Sequence, residues 1–167
     1  MADTFTCGIC GTVHEGLTTD WAFKLPDEVW ALPEEQRAER AVCSSDLCRF
    51  GGRFFIRCVL SVPFIESEGW FNWGCWAEVD QPVFERYLSL YDADGSDEPW
   101  HAGKLANALS GYARSLGAAC AIQFRESTLR PALFLPPDDQ SLLAAEQRTG
   151  YDAERYHAIV DGLYAKR

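Results

Sequence analysis

The sequence predicts an α+β domain in which an antiparallel sheet is covered by helices, with a zinc knuckle at its N-terminus, and three observations carry the sheet-and-helix part. Two segments of period-two alternation, RFFIRCVLSVPF and WFNWGCWAEV, follow one another across the connection IESEG, as the strands of a hairpin do. Two further apolar runs, AACAIQFRE and RPALFLPP, stand close together later in the chain. Helical spacing falls between and after these pairs, which favours antiparallel pairing over βαβ units.

In TTDWAFKLPDEVWALPEEQRAER, Pro26 and Pro33 interrupt any long helix, although LPEEQRAER suits a short one with Pro33 in its first turn and acids at its start. In the first predicted strand Phe54, Ile56, Cys58 and Leu60 face one way. In the second, Phe71, Trp73, Cys75, Ala77 and Val79 share a face, opposite to Trp70, Asn72, Trp76 and Glu78. DQPVFERYLSLYD then places Phe84, Tyr87, Leu88 and Tyr91 at helical spacing behind an Asp80 cap and Pro82. ADGSDEPWHAG reads as loop. Pro131 predicts that the last strand starts late or lies at an edge. Two helices close the chain: DDQSLLAAEQRTG, ending at Gly150, and DAERYHAIVDGLY, whose Tyr156, Ile159, Val160 and Leu163 form one face and whose His157 falls on the solvated flank.

At 167 residues the chain has the length of one domain. We divide it into a metal-knuckle arm (1–50), a sheet with one helix (51–136) and a C-terminal helical pair (137–167). A hydrophobic share of 47% and a charged share of 24% exclude disorder as a description of the whole. Net charge is -10, and the 15 basic residues are scattered among 25 acids, so nucleic acid is not an expected partner of this acidic protein. No apolar run approaches the roughly 18 residues that span a bilayer, and MADTFTC lacks the marks of a secretory signal. No membrane association and a cytoplasmic location are the expectations, with the oligomeric state left open.

The stretch CGICGTVH carries the chemistry of the N-terminus. Cys7 and Cys10 have C-x2-C spacing, and Gly8 and Gly11 permit the tight turn that aims two thiolates at one ion. A redox pair would open a helix, which Gly11, Thr12 and Val13 do poorly, and a turn without metal is the remaining alternative. Zinc, the expected cofactor, takes four protein ligands when structural. The candidates that complete the set are His14, Cys43 and Cys48, with Asp46 as an outer carboxylate. Cys58, Cys75 and Cys120 lie within predicted strands among apolar neighbours and read as core.

The ordered segments FTCGICGTVHEGL, DWAFKLPDEVW, SSDLC, RFFIRCVLSVP, WGCWAEV and LLAAEQRTGYDAERYHAIV resemble the bacterial family known as domain of unknown function 2199, from Phe5 to about Leu163. The resemblance implies no activity. It favours Cys7, Cys10, His14 and Cys48 as the ligand set and makes Cys43 a local extra. Two positions depart from the family pattern, Cys58 where it implies glycine and DDQS where it implies a histidine-proline step.

The chain contains no Gly-rich phosphate loop, H-E-x-x-H or G-x-S-x-G, and its three histidines are far apart. We therefore expect no catalytic set, and we read the chain as a module that binds a ligand or a protein partner. Trp70, Trp76, Trp100 and His101 are its candidate binding surface, because large rings on the outer face of a sheet mark contact sites. The alternative is a zinc-dependent hydrolase with one open metal position, for which Glu15 beside His14 would be the adjacent carboxylate.

Overall fold

The computed structural model describes residues 4–6, 13–15 and 19–165. Thr4–Thr6 (β1) and Val13–Glu15 (β2) form an antiparallel pair with Phe5 opposite His14. The remaining strands are Asp20–Ala22 (β3), Ala41–Cys43 (β4), Leu47–Phe50 (β5), Arg53–Pro63 (β6), Trp70–Val79 (β7), His101–Leu105 (β8), Ala119–Gln123 (β9) and Ala132–Phe134 (β10). The helices are Asp27–Trp30 (α1), Glu34–Arg40 (α2), Gln81–Ser89 (α3), Leu142–Thr149 (α4) and Ala153–Tyr164 (α5).

The expected β6–β7 hairpin is present in full, with Cys58 opposite Cys75 and Pro63 opposite Trp70. The purely antiparallel sheet is corrected, because the sheet is mixed and closes into a small barrel in the order β6-β7-β8-β9-β10. Parity explains this: four successive antiparallel pairings around five strands leave the first and last pointing the same way, so β10 meets β6 in parallel. The closure is narrow, Ala132 opposite Val59, and β10 starts directly after Pro131, as the proline predicted. Outside the ring, β5 and β4 continue the sheet from the first half of β6, and β3 runs parallel to the first half of β7. Gly74 permits this second contact, since a Cβ there would lie 3.1 Å from the Ala22 Cβ.

The interior is filled by alternate residues of the two long strands, Ile56, Cys58, Leu60 and Val62 against Phe71, Trp73, Cys75 and Ala77, all buried. Each large side chain removed from water there contributes about 1.5–3 kcal/mol. The same cluster takes in Leu143 of α4 and Tyr156, Ile159, Val160 and Leu163 of α5. Side-chain caps begin both helices, Ser141 accepting from the Ala144 amide and Asp152 from the Arg155 amide. Asp80 precedes α3 without a side-chain cap bond, and Pro33 precedes α2 rather than lying within it. His157 is buried, which corrects the solvated position expected from the sequence.

A second, smaller cluster of Val29, Cys48, Phe55, Trp76 and Ala106 lies on the outer side of the hairpin. Residues 23–31 cover the barrel there. Asn107, fully buried, fastens this cover: its Oδ1 accepts from the Trp76 amide at 2.7 Å, and its Nδ2 donates to the Leu25 carbonyl and Asp27 Oδ1.

Candidate functional site

The outer wall of the barrel carries a groove. Ala121 of β9 and Ala132 of β10 are small, and around them Ser61, Pro63, Trp70, Asn72, Trp100, Phe134 and Leu135 enclose a groove of about 850 Å³. Trp70 and Trp100 are 55% and 54% exposed. The Trp100 ring lies nearly parallel to that of Phe134, with centroids 5.0 Å apart, which fixes one wall as a flat aromatic surface. Beyond Ala132 the strand β10 parts from β6, and Gln147 of α4 takes over its backbone groups. Gln147 Oε1 accepts from the Leu135 amide and Nε2 donates to the Leu133 carbonyl, each at 2.8 Å. The helix thereby props the groove open at a fixed width.

Arg125 and Arg148 stand at the groove's edge. Arg148 donates to the carbonyls of Pro137 and Asp139, and Arg125 Nε donates to the Arg130 carbonyl at 2.6 Å. Burial pulls the Arg125 guanidinium below its ordinary value, a desolvation that an anionic ligand group would relieve. The groove thus offers stacking faces, apolar area and two cations.

Of the predicted binding residues, Trp70 and Trp100 meet in this groove. Trp76 does not: it is fully buried, its indole N–H donates to the Phe23 carbonyl at 3.0 Å, and it is corrected to a core residue under the N-terminal cover. His101 packs at a tilt against the Phe124 ring with centroids 4.7 Å apart, and its Nε2 lies 3.4 Å from Glu98. The Glu98 carboxylate is held below its ordinary value by Arg86, which bonds it directly, so it is committed to that pair. His101 thus faces a structural carboxylate rather than the groove. Phe134, Arg125, Arg148 and Gln147 were not singled out from the sequence. The only signal was RPALFLPP itself, where Ala132 and Phe134 share a strand face.

The predicted metal residues divide. Cys7 and Cys10 lie outside the described residues, in the stretch between β1 and β2, and the backbone of His14 belongs to β2. Cys48 is buried in the outer cluster and stands opposite Cys43 across β4–β5, and the structure joins the two in a disulfide. Among the described residues, no three side chains of the histidine, cysteine, aspartate and glutamate types gather to hold a metal ion. Asp46, at the turn between the two cysteines, receives the Tyr91 hydroxyl and Arg130 Nε at 2.7 and 2.8 Å. It anchors the turn to the body of the protein.

Among the described residues no helix is long and apolar enough to cross a membrane. No curated protein and no solved structure matches the chain. The family model described as uncharacterized protein conserved in bacteria (DUF2199) matches residues 6–151, in agreement with the resemblance read from the motifs. The chain belongs to that family.

Proposed function

We propose that the protein is a non-catalytic binding module whose N-terminal arm is fastened by structural zinc and whose barrel groove takes an apolar ligand group or partner side chain bearing a negative charge. The observation that supports the binding role is the pairing of Trp70 and Trp100, both more than half exposed, across a groove edged by Arg125 and Arg148. Stacked rings offer large contact area at low entropic cost, and the arginines orient an anionic end. The test is titration with anilinonaphthalene sulfonate, a planar aromatic anion. Saturable one-to-one binding is expected, weakened at least tenfold by Trp100→Ala with the melting temperature unchanged; binding indifferent to that substitution overturns the groove as the site.

Support for zinc comes from the C-x2-C pair and from a cysteine pair on the β4–β5 hairpin. Closed sites of this kind hold chain segments together, contributing on the order of 10 kcal/mol to folding. Elemental analysis of the reduced protein is expected to give one zinc per chain, removed by chelator with loss of thermal stability.

A further inference from the structure

We propose that the cleft at the β5–β6 turn is a second binding site, separate from the groove, whose ligand is a phosphate-class dianion held by Arg40 and Arg49. The cleft encloses about 250 Å³ and is lined by three arginines, Arg40, Arg49 and Arg53, against one acid, Glu85. In a chain of net charge -10 this is a local excess of positive charge. The three cations differ in their commitments. Arg53 is bonded to Glu78 and Glu28, whereas Arg40 and Arg49 form no ion pair among the described residues.

Both uncommitted guanidiniums are nonetheless held in place. Arg49 stands in a row across three strands, opposite Val42 on β4 and Phe54 on β6, and its guanidinium carbon lies 5.2 Å from the centroid of the Phe84 ring. Phe84 is itself fixed, buried and 5.1 Å from the Phe54 ring. Arg40, the last residue of α2, lies over Phe50 at 5.1 Å. A ring covers one face of a guanidinium and leaves the N–H edge free, and that edge matches two oxygens of a phosphate. Freedom already given up to the ring is not lost again on binding, which favours the anion.

The turn adds donors of a second kind. Phe50 pairs with Arg53, so Gly51 and Gly52 form a two-residue connection, with φ of 57° and 75°. A Cβ at either position would meet no heavy atom within 4 Å, so the space beside the turn is open. The two amides meet no backbone acceptor among the described residues, and successive free amides at a turn attract anions. Glu85 opposes an anion, but Gln81 Nε2 donates to its Oε1 at 2.9 Å and occupies that oxygen.

The experiment titrates the isotope-labelled full chain with inorganic phosphate, and separately with methyl phosphate, at low ionic strength and follows the amide resonances. Saturable one-to-one binding is expected, with the largest shifts at Arg49, Gly51 and Gly52. Arg40→Gln and Arg49→Gln are each expected to weaken it at least about tenfold while keeping a folded spectrum. Arg49→Lys, which retains the charge without the planar fork, is expected to weaken it less, and Trp100→Ala in the groove to leave it unchanged. Methyl phosphate binding as tightly as the inorganic ion identifies a phosphate monoester as the ligand, and tighter binding of inorganic phosphate identifies the free ion. Shifts centred on Arg125 and Arg148, binding undiminished in both glutamine variants, or no saturation at millimolar phosphate overturns the cleft as a site.

Discussion

The hydroxyl of Tyr112 lies 2.6 Å from that of Tyr151, and the Trp73 indole N–H donates to Tyr151 at 3.2 Å, all three groups buried. This chain connects the barrel interior through Trp73 to the α4–α5 junction, where the Tyr151 amide donates to the Pro63 carbonyl. Tyr151 is the common member, so Tyr151→Phe leaves two buried polar groups without their partner. The expected cost is about 1–3 kcal/mol for each group left unpaired, measured by urea unfolding, and Tyr112→Phe should cost less because the Trp73 bond survives it. Equal stability of Tyr151→Phe and the parent contradicts this account.

Asn107 holds the N-terminal cover to the barrel, so its removal tests whether the cover is an independent layer. Asn107→Ala strands the Trp76 amide and the Leu25 carbonyl in a dry cluster and deprives Asp27 of one of its two donors. Loss of about 2–4 kcal/mol is expected. Amide exchange should rise first at residues 23–31, ahead of the barrel strands; a uniform rise would show that cover and barrel unfold as one unit.

What the sequence disclosed and what it concealed divide along the range of the interactions. The strands β6 and β7 were readable because alternation is local, and α4 and α5 because their caps Ser141 and Asp152 sit next to their own helices. Barrel closure rests on one register pair between residues 59 and 132, which leaves no pattern in either segment. β8 escaped notice because Leu105 is the one large apolar residue of HAGKL, and Gly103 instead admits close approach of Ile122. For the site, Trp70 and Trp100 were found as large rings on or beside strands, but the same reasoning admitted Trp76. Only the packing of residues 23–31 over Trp76 separates a surface ring from a core ring. The partners Gln147 and Arg148 reach the groove from α4, which Gln147 bonds to β10, and Arg125 reaches it from the segment after β9, both tertiary facts.

The Arg53 guanidinium, bonded to both Glu78 oxygens at 2.7 Å and also paired with Glu28, holds the Glu78 carboxyl below its ordinary 4.5, against a smaller upward push from burial. A depressed folded value means that the pair stabilises the protein above the unfolded value and that this share is lost as pH falls through the lower, folded one. Unfolding free energy is therefore expected to drop as pH falls below the ordinary carboxylate value, and Glu78→Gln should flatten that dependence while lowering stability at pH 7. An unchanged slope in Glu78→Gln would assign the acid sensitivity to other carboxylates.

The three thiols of the barrel test the core reading directly. Cys58 faces Cys75 across the hairpin, Cys120 lies on β9, and all three are buried. Burial pushes each thiol up, Cys120 to about 12 and the other two strongly, because a thiolate in an apolar interior forfeits its hydration. Thiolate is the reactive form, so these residues should resist alkylation at pH 8 both through inaccessibility and through ionisation. Maleimide labelling followed by peptide mass analysis is expected to leave Cys58, Cys75 and Cys120 unmodified in the native protein and to modify all three in guanidinium. Native labelling at Cys58 would mean that the barrel opens at its β6–β10 seam, where β10 holds β6 through a single residue pair, and would place the weak point of the fold beside the groove.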